Sequence, residues 1–366
     1  MRLLTAALLF TGAAHAAVAA KAHSAAVAAK AHSAATVDIE PFGSKGVAAT
    51  LTNDRGMSVS VIDYGARITA INVPDRNGQF RNVVLSLKDP DGYLTTKRRF
   101  AAVMGRYAGR IGGARYSLDG QEVRLVAGPR GAAIHGDPDG FDRRFWAMHS
   151  EADRRSVSVV LSLTSPDGDQ GFPGQMQVSV TYRLMKASNL LAIEYRATID
   201  KPAPINLTNH AFFNLAGAGT AGIAGHLFQI DADRMLEADE ALIPTGKILP
   251  VAGSKFDFRR PVPPVEADNS LLFRHKGTVA RFEDPASGRV MVVRTTEPSV
   301  QLFTGNGFDG SEMGGEGRAY QRGDGFAFET QHYPDSPNHA NFPSTILKPG
   351  QTFRSETDFV FTVSRR

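Results

Sequence analysis

Met57-Ser-Val-Ser-Val-Ile62 alternates apolar and polar side chains, Asp63-Tyr-Gly65 interrupts the pattern, and Ile68–Val73 resumes it. A period of two is that of a strand with one face buried, whereas a helix repeats every 3.6 residues. Pro74-Asp-Arg-Asn-Gly78 is a turn signal, and another short apolar run, Asn82-Val-Val-Leu85, follows it. The same grammar recurs along the chain at Val157–Leu163, Met176–Arg183, Leu190–Ile199, His226–Ile230, Arg289–Arg294, Val300–Phe303 and Phe353–Val363. Asp167-Gly168, Pro285-Ala-Ser-Gly288 and Pro349-Gly350 punctuate these runs. Thr181–Leu184 followed by Leu190–Tyr195 reads as one hairpin. Amphipathic helical windows are scarce and short. Closely spaced strands with no helices between them predict an all-β chain folded as a large antiparallel β-sandwich, not βαβ units. No linker interrupts 37–366, so these residues are expected to form a single β domain.

The composition agrees. Of 366 residues, 42% are hydrophobic and 21% charged, which excludes wholesale disorder and a polytopic membrane protein. The absence of Cys removes disulfide scaffolds, thiolate metal sites, iron–sulfur clusters and a thiol nucleophile. The formal charge of +4 sits mainly at the front: residues 1–36 contain Arg2, Lys21 and Lys30 and no acid. The remainder is close to neutral, which removes the basis for a nucleic-acid partner. Met1-Arg2, the apolar run Leu3–Ala14 and Ala14-His-Ala16 have the order of an export signal over 1–16, too short to span a bilayer. AVAAKAHSA then occurs at 17–25 and again at 26–34. This Ala-rich duplication reads as a disordered tether over 17–36, with His23 and His32 repeated along with it and not as a metal site. The expectation is an exported protein, periplasmic or secreted, with no membrane span once the signal is cleaved.

Two of the seven histidines beyond the tether have unusual surroundings. His210 lies in Asn206-Leu-Thr-Asn-His-Ala-Phe-Phe-Asn214, and His135 in Ile134-His-Gly-Asp137. Buried amides need partners, so the Asn-rich stretch suggests a network that orients the His210 imidazole; the alternative is a structural histidine at a strand end. Glu329 closes the apolar run Phe326-Ala-Phe328 ahead of a Pro-punctuated loop. A carboxylate there must be paired, neutralised or used as a general base. Arg110, in Gly105-Arg-Tyr-Ala-Gly-Arg110, offers a fork of donors to hydroxyls or an oxyanion. His332 and His339 flank the Glu329 segment as supporting groups, whereas His149, His226 and His275 read as structural or exposed. No phosphate loop, HExxH, GxSxG or EF-hand pattern is present.

In order along the chain stand Asp63-Tyr-Gly-Ala, Val73-Pro-Asp-Arg-Asn-Gly, Gly105-Arg-Tyr-Ala-Gly-Arg-Ile, His135-Gly, Gly140-Phe-Asp and Ser165-Pro-Asp-Gly-Asp-Gln-Gly-Phe-Pro-Gly174. After them come Asn206-Leu-Thr-Asn-His, Leu242-Ile-Pro-Thr-Gly-Lys, Phe256-Asp-Phe-Arg, Glu297-Pro-Ser-Val-Gln-Leu-Phe-Thr-Gly-Asn306, Phe328-Glu-Thr-Gln-His-Tyr-Pro-Asp-Ser-Pro337 and Asn341-Phe-Pro-Ser-Thr345. With this series the chain resembles the aldose 1-epimerase (galactose mutarotase) family over most of 37–366. The resemblance implies a galactose mutarotase-like supersandwich with a sugar cleft. The implied activity is interconversion of the α and β anomers of a free aldohexose or pentose by ring opening and reclosure. It assigns the catalytic base to Glu329 and the catalytic acid to His210. It assigns substrate contacts to Arg110, His135, Gln301 and Asp268. No metal or other cofactor is implied, and the expected assembly is a monomer or homodimer.

The chain departs from the family pattern at Gly109 and Ala132, where Asn is usual, and over 260–273, which is shortened and lacks a Gly-Tyr-Asp-His-Asn motif. Asp268 is the available counterpart of that motif's Asp. Two other functions fit the same fold: a non-catalytic carbohydrate-binding or sensor domain, and an epimerase-like protein for sugar phosphates, suggested by Lys97-Arg-Arg99, Arg143-Arg144 and Arg274-His-Lys276. Such basic runs are ordinarily solvated surface. A glycosidase would need a second carboxylate opposed to Glu329, and none has a matching context.

Overall fold

The computed structural model describes residues 34–364. The export signal expected over 1–16 and nearly all of the duplicated stretch lie outside them. Two antiparallel sheets carry the architecture. The larger has eight strands in the order 147–152, 156–165, 176–185, 190–199, 353–363, 289–295, 277–283 and 227–230. The smaller has six, in the order 212–213, 326–331, 299–303, 268–273, 232–238 and 244–250. A five-stranded antiparallel sheet runs in chain order from Thr36 to Asn82. The alternating stretch that opens the sequence forms Ser58–Ile62, paired with Arg67–Pro74. The hairpin forms as its pattern predicts, with Leu184 opposite Leu191. Asn82-Val-Val-Leu85 does not make a strand of its own. Phe80–Asn82 pairs with Arg67–Pro74, and Val84 bridges to Phe213.

The two large sheets meet through aromatic rings. Phe326 lies 4.6 Å from Phe228 and 4.7 Å from Phe282, ring centre to ring centre, and Phe282 lies 5.0 Å from Phe328. Phe213 packs on Phe359 at 5.2 Å, and the Thr330 and Thr357 hydroxyls meet at 2.7 Å across the same interface. Each fully buried Phe contributes about 1.5–3 kcal/mol. The five-stranded sheet extends this core with Leu51, Val59, Val61, Ile68 and Ile71. Among the described residues no helix is long and apolar enough to cross a membrane.

Arg106 anchors the scaffold beneath the cleft. Its guanidinium is buried, yet it donates to the carbonyls of Ser165, Pro166, Phe172, Pro173 and Gly174 and to the Ser165 hydroxyl. One side chain thereby ties down the whole Pro/Gly-rich loop 165–174, and every donor finds an acceptor. Gln170 of that loop returns the contact by accepting from the Arg106 N–H at 3.2 Å. Lysine has three donors and no planar fork. Arg106→Lys should therefore lower the unfolding free energy in urea by about 2–3 kcal/mol. A loss below about 0.5 kcal/mol would show that solvent replaces the missing bonds.

Candidate active site

Because Phe326, Phe328 and Thr330 face the core, alternation turns Ala327, Glu329 and Gln331 to the other face of the six-stranded sheet. The neighbouring strands continue the arrangement, with Gln301 opposite Glu329 and Ser270 opposite Gln301. The Gln301 amide is fixed at both ends. Its oxygen accepts from Ser270 Oγ at 2.6 Å, and its nitrogen donates to Asp268 Oδ1 at 2.6 Å. Asp268 Oδ2 in turn lies 4.0 Å from the Arg110 guanidinium. Arg110 reaches this point from a short pairing of Arg110–Ile111 with Ala133–Ile134, the residues that lead into His135.

His210 arrives from the opposite wall. Its N–H donates to the Ala102 carbonyl at 3.0 Å and its carbonyl accepts from the Ala101 N–H at 2.9 Å, so the backbone is held on both sides. The ring rests on Phe212 at 4.9 Å. The surrounding asparagines do not touch the imidazole, contrary to the sequence expectation. Asn206 donates to the Ala108 and His332 carbonyls, Asn209 to the Ala101 carbonyl and the Tyr182 hydroxyl, and Asn214 to the Thr220 and Asp324 carbonyls. They fasten the chain around His210 and leave the ring Nδ1 without a partner. His135 is oriented differently. It has a left-handed backbone, φ 54°, and its Nδ1 accepts from the Gly109 N–H at 3.2 Å while its own N–H donates back to the Gly109 carbonyl at 3.1 Å. Gly136 must be glycine here, since a Cβ would come within 2.3 Å of the Gly105 carbonyl.

These groups surround a cleft of about 200 Å³ that includes Glu329, His210, His135, Arg110, Gln301 and Asp268. His210 Nε2 and Glu329 Oε1 are 3.4 Å apart, and both side chains are buried. Burial pushes Glu329 up to about 8, with Asp268 adding to the rise and Arg99 and Arg110 opposing it. Burial, assisted by Arg99, pushes His210 down to about 3, and it lowers His135 in the same sense. Burial therefore favours the uncharged form of both groups, protonated carboxyl and neutral imidazole. The second Glu329 oxygen is buried and has no hydrogen-bond partner among the described residues.

Donor atoms of His135, His210 and Glu329 lie within 4.8 Å of one another, the spacing of a metal centre. The chemistry does not fit one. A neutral imidazole has a single nitrogen lone pair, and His135 gives its own to the Gly109 N–H. Arg99 and Arg110 add positive charge to the same space.

The structure brings all six site residues expected from the sequence to one cleft. It also corrects the reading of the basic runs. Lys97, Arg98 and Arg99 line the cleft, Lys97 exposed and the two arginines half-buried, whereas Arg144 pairs with Asp169 and Arg274 with Asp231, away from it. Ser270 and Phe303 are further lining residues that the sequence did not single out. His332 is bound to the buried Glu297 at 2.6 Å, and His339 bonds to the Pro244 carbonyl; both support walls of the cleft. At Gly109, φ 80°, a Cβ would come 3.1 Å from Pro334 and 3.2 Å from Gln331 Nε2, so the Asn usual at this position would be crowded.

A family model described as aldose 1-epimerase matches residues 48–360. The chain belongs to the aldose 1-epimerase family. Rat galactose mutarotase is 39% identical over 339 residues, covering 88% of this chain and 96% of the rat protein. The aldose 1-epimerase of Escherichia coli K12 is 36% identical over 347 residues, covering 89% and 98%. Among solved structures, galactose 1-epimerase from Lactobacillus acidophilus superposes with a TM-score of 0.81 at 25% identity, covering 91% of this chain and all of that one. That superposition places the two sheets described above in the same architecture as the Lactobacillus acidophilus protein.

The shift at Glu329 has a measurable consequence. The folded form keeps a proton that the unfolded chain gives up above the ordinary value of 4.5, so this group lowers stability as pH rises from there towards about 8. Glu329→Gln is expected to raise Tm by about 2–4 °C at pH 8.5 and to leave it nearly unchanged at pH 4 by scanning calorimetry. Equal shifts at both values would assign the effect to packing.

Proposed function

We propose that this chain catalyses anomer interconversion of a free aldose, with Glu329 and His210 as the acid–base pair. One observation carries the reading: a buried carboxyl and a buried imidazole, 3.4 Å apart, face a cleft lined with hydrogen-bonding groups. Such a pair moves protons without exchanging them with bulk water.

When His210 carries the proton, Glu329 removes the hydrogen of the anomeric hydroxyl. The C1–O5 bond then breaks, a C1=O1 carbonyl forms, and the ring oxygen takes its proton from His210. Rotation about C1–C2 presents the other face of the aldehyde. The O5 hydroxyl attacks C1, returning its proton to His210, while Glu329 protonates O1. The opposite anomer leaves and the pair is restored. His135, with its proton on Nε2, donates towards the ring oxygen. Arg110, Gln301 and Asp268 hold hydroxyls, each already oriented by its neighbours. Family membership and curated relatives named for this activity support the reading. We also propose, from the first 36 residues, an exported protein acting outside the cytoplasm.

Polarimetry on freshly dissolved α-glucose, α-galactose and pentoses tests the proposal. The wild-type chain should accelerate at least one sugar, and Glu329→Gln and His210→Asn should each lower kcat by about 10²–10⁴-fold. A carbohydrate-binding domain would instead bind sugar while mutarotation stays at the spontaneous rate. Because the site chemistry disfavours a cation, prolonged dialysis against EDTA should leave the wild-type rate unchanged; loss restored by a divalent metal would overturn that assignment.

A further inference from the structure

The cleft is electrically lopsided. Asp268 lies beyond Gln301 on the sheet side, whereas Arg99 stands beside the imidazoles, and Lys97 and Arg98 also line the cleft. Arg99 is fixed there: its guanidinium pairs with Asp137, two residues after His135, and Ala101, two residues after Arg99, donates to the His210 carbonyl. Arg98 pairs with Asp309 at 3.5 Å and lies over the Phe308 ring at 5.7 Å. Lys97 is exposed, and among the described residues no carboxylate comes within 4.0 Å of its ammonium. The rim therefore carries one cation without a counter-charge, next to a second whose planar fork is already oriented.

The direction in which a bound sugar points follows from the chemistry, provided the assignments of Glu329 to the anomeric oxygen and His210 to the ring oxygen hold. The ring oxygen is bonded to C1 and to C5, and C5 carries C6. With C1 at Glu329 and the ring oxygen at His210 and His135, C6 projects away from Glu329, past the imidazoles, towards Arg99 and Lys97. We propose that the cleft takes an aldose with an anionic group at C6, a uronate carboxylate or a phosphate ester, held by Arg99 and Lys97. This inference rests on the acid–base reading of Glu329 and His210 and extends its substrates from uncharged aldoses to those that are anionic at C6.

Exchange spectroscopy of the anomeric protons tests it with the full chain, because anomers at equilibrium are sufficient. The probes are glucose, galactose, glucuronate, galacturonate and glucose 6-phosphate. At least one anionic sugar should exceed its uncharged parent in kcat/KM by about tenfold. That ratio should fall towards one in about 0.5 M KCl, because an exposed ammonium is screened there. Lys97→Glu should lower it by about tenfold at low salt. The uronate and phosphate arms separate the two sources of charge. Uncharged sugars turned over as fast as or faster than every anionic one, or a ratio that salt and Lys97→Glu both leave in place, would overturn the inference. Exchange at the spontaneous rate for all five sugars would remove the mutarotase reading beneath it.

Discussion

Phe326 and Phe328 are locked against Phe228 and Phe282, and that lock decides where Glu329 points. A strand has two faces, and once two aromatic rings are committed to the core the residue after them has no alternative. Slipping the strand by one residue would place a carboxylate among phenyl rings and two phenyl rings in the cleft, a change that costs far more than a domain of marginal stability tolerates. The position of the proposed base is thus set by hydrophobic packing on the side of the sheet it does not occupy. Gln301 and Ser270 follow, because the ladder pairs them with Glu329.

The imidazole wall depends on polar ties. Asn206, Asn209 and Asn214 fasten backbone carbonyls around His210, and Arg106 gathers the carbonyls of loop 165–174 beneath the cleft. These segments bury Leu207, Phe212, Phe213 and Phe172 as well, and the buried amides and one guanidinium supply partners to the carbonyls that packing alone would strand. Buried ties of this kind specify a single geometry, because each lost partner leaves a desolvated group. The site therefore has an apolar support on one side and a hydrogen-bonded one on the other.

How much of this was legible in the sequence depended on periodicity. Met176–Met185 and Leu190–Ile199 alternate cleanly and were read with their turn. Asp268–Phe273 escaped because its polar residues come first and its apolar ones last, one end facing the cleft and the other the core. Glu329 and His210 stood out as polar residues inside apolar runs, which is the signal that burial leaves. The density of asparagine was visible too, but not that it serves the backbone and not the ring. Lys97–Arg99 looked like a solvated charge run because composition says nothing about where a loop folds back. The pairing of Thr208–Asn209 with Val103–Met104, continued by the bonds of Ala101 and Ala102 to His210, brings that loop to the cleft.

The tie between His135 and Gly109 has a consequence for fidelity. With its nitrogen lone pair committed, His135 can give a hydrogen bond but cannot accept a proton. The open-chain aldehyde has an acidic hydrogen on C2, and a second base nearby would draw it off to an enediol and scramble that carbon or move the carbonyl. A donor-only imidazole adds no base to the Glu329–His210 pair that such a step could use. The cleft can then open and close a sugar many times while the configuration of every other carbon survives.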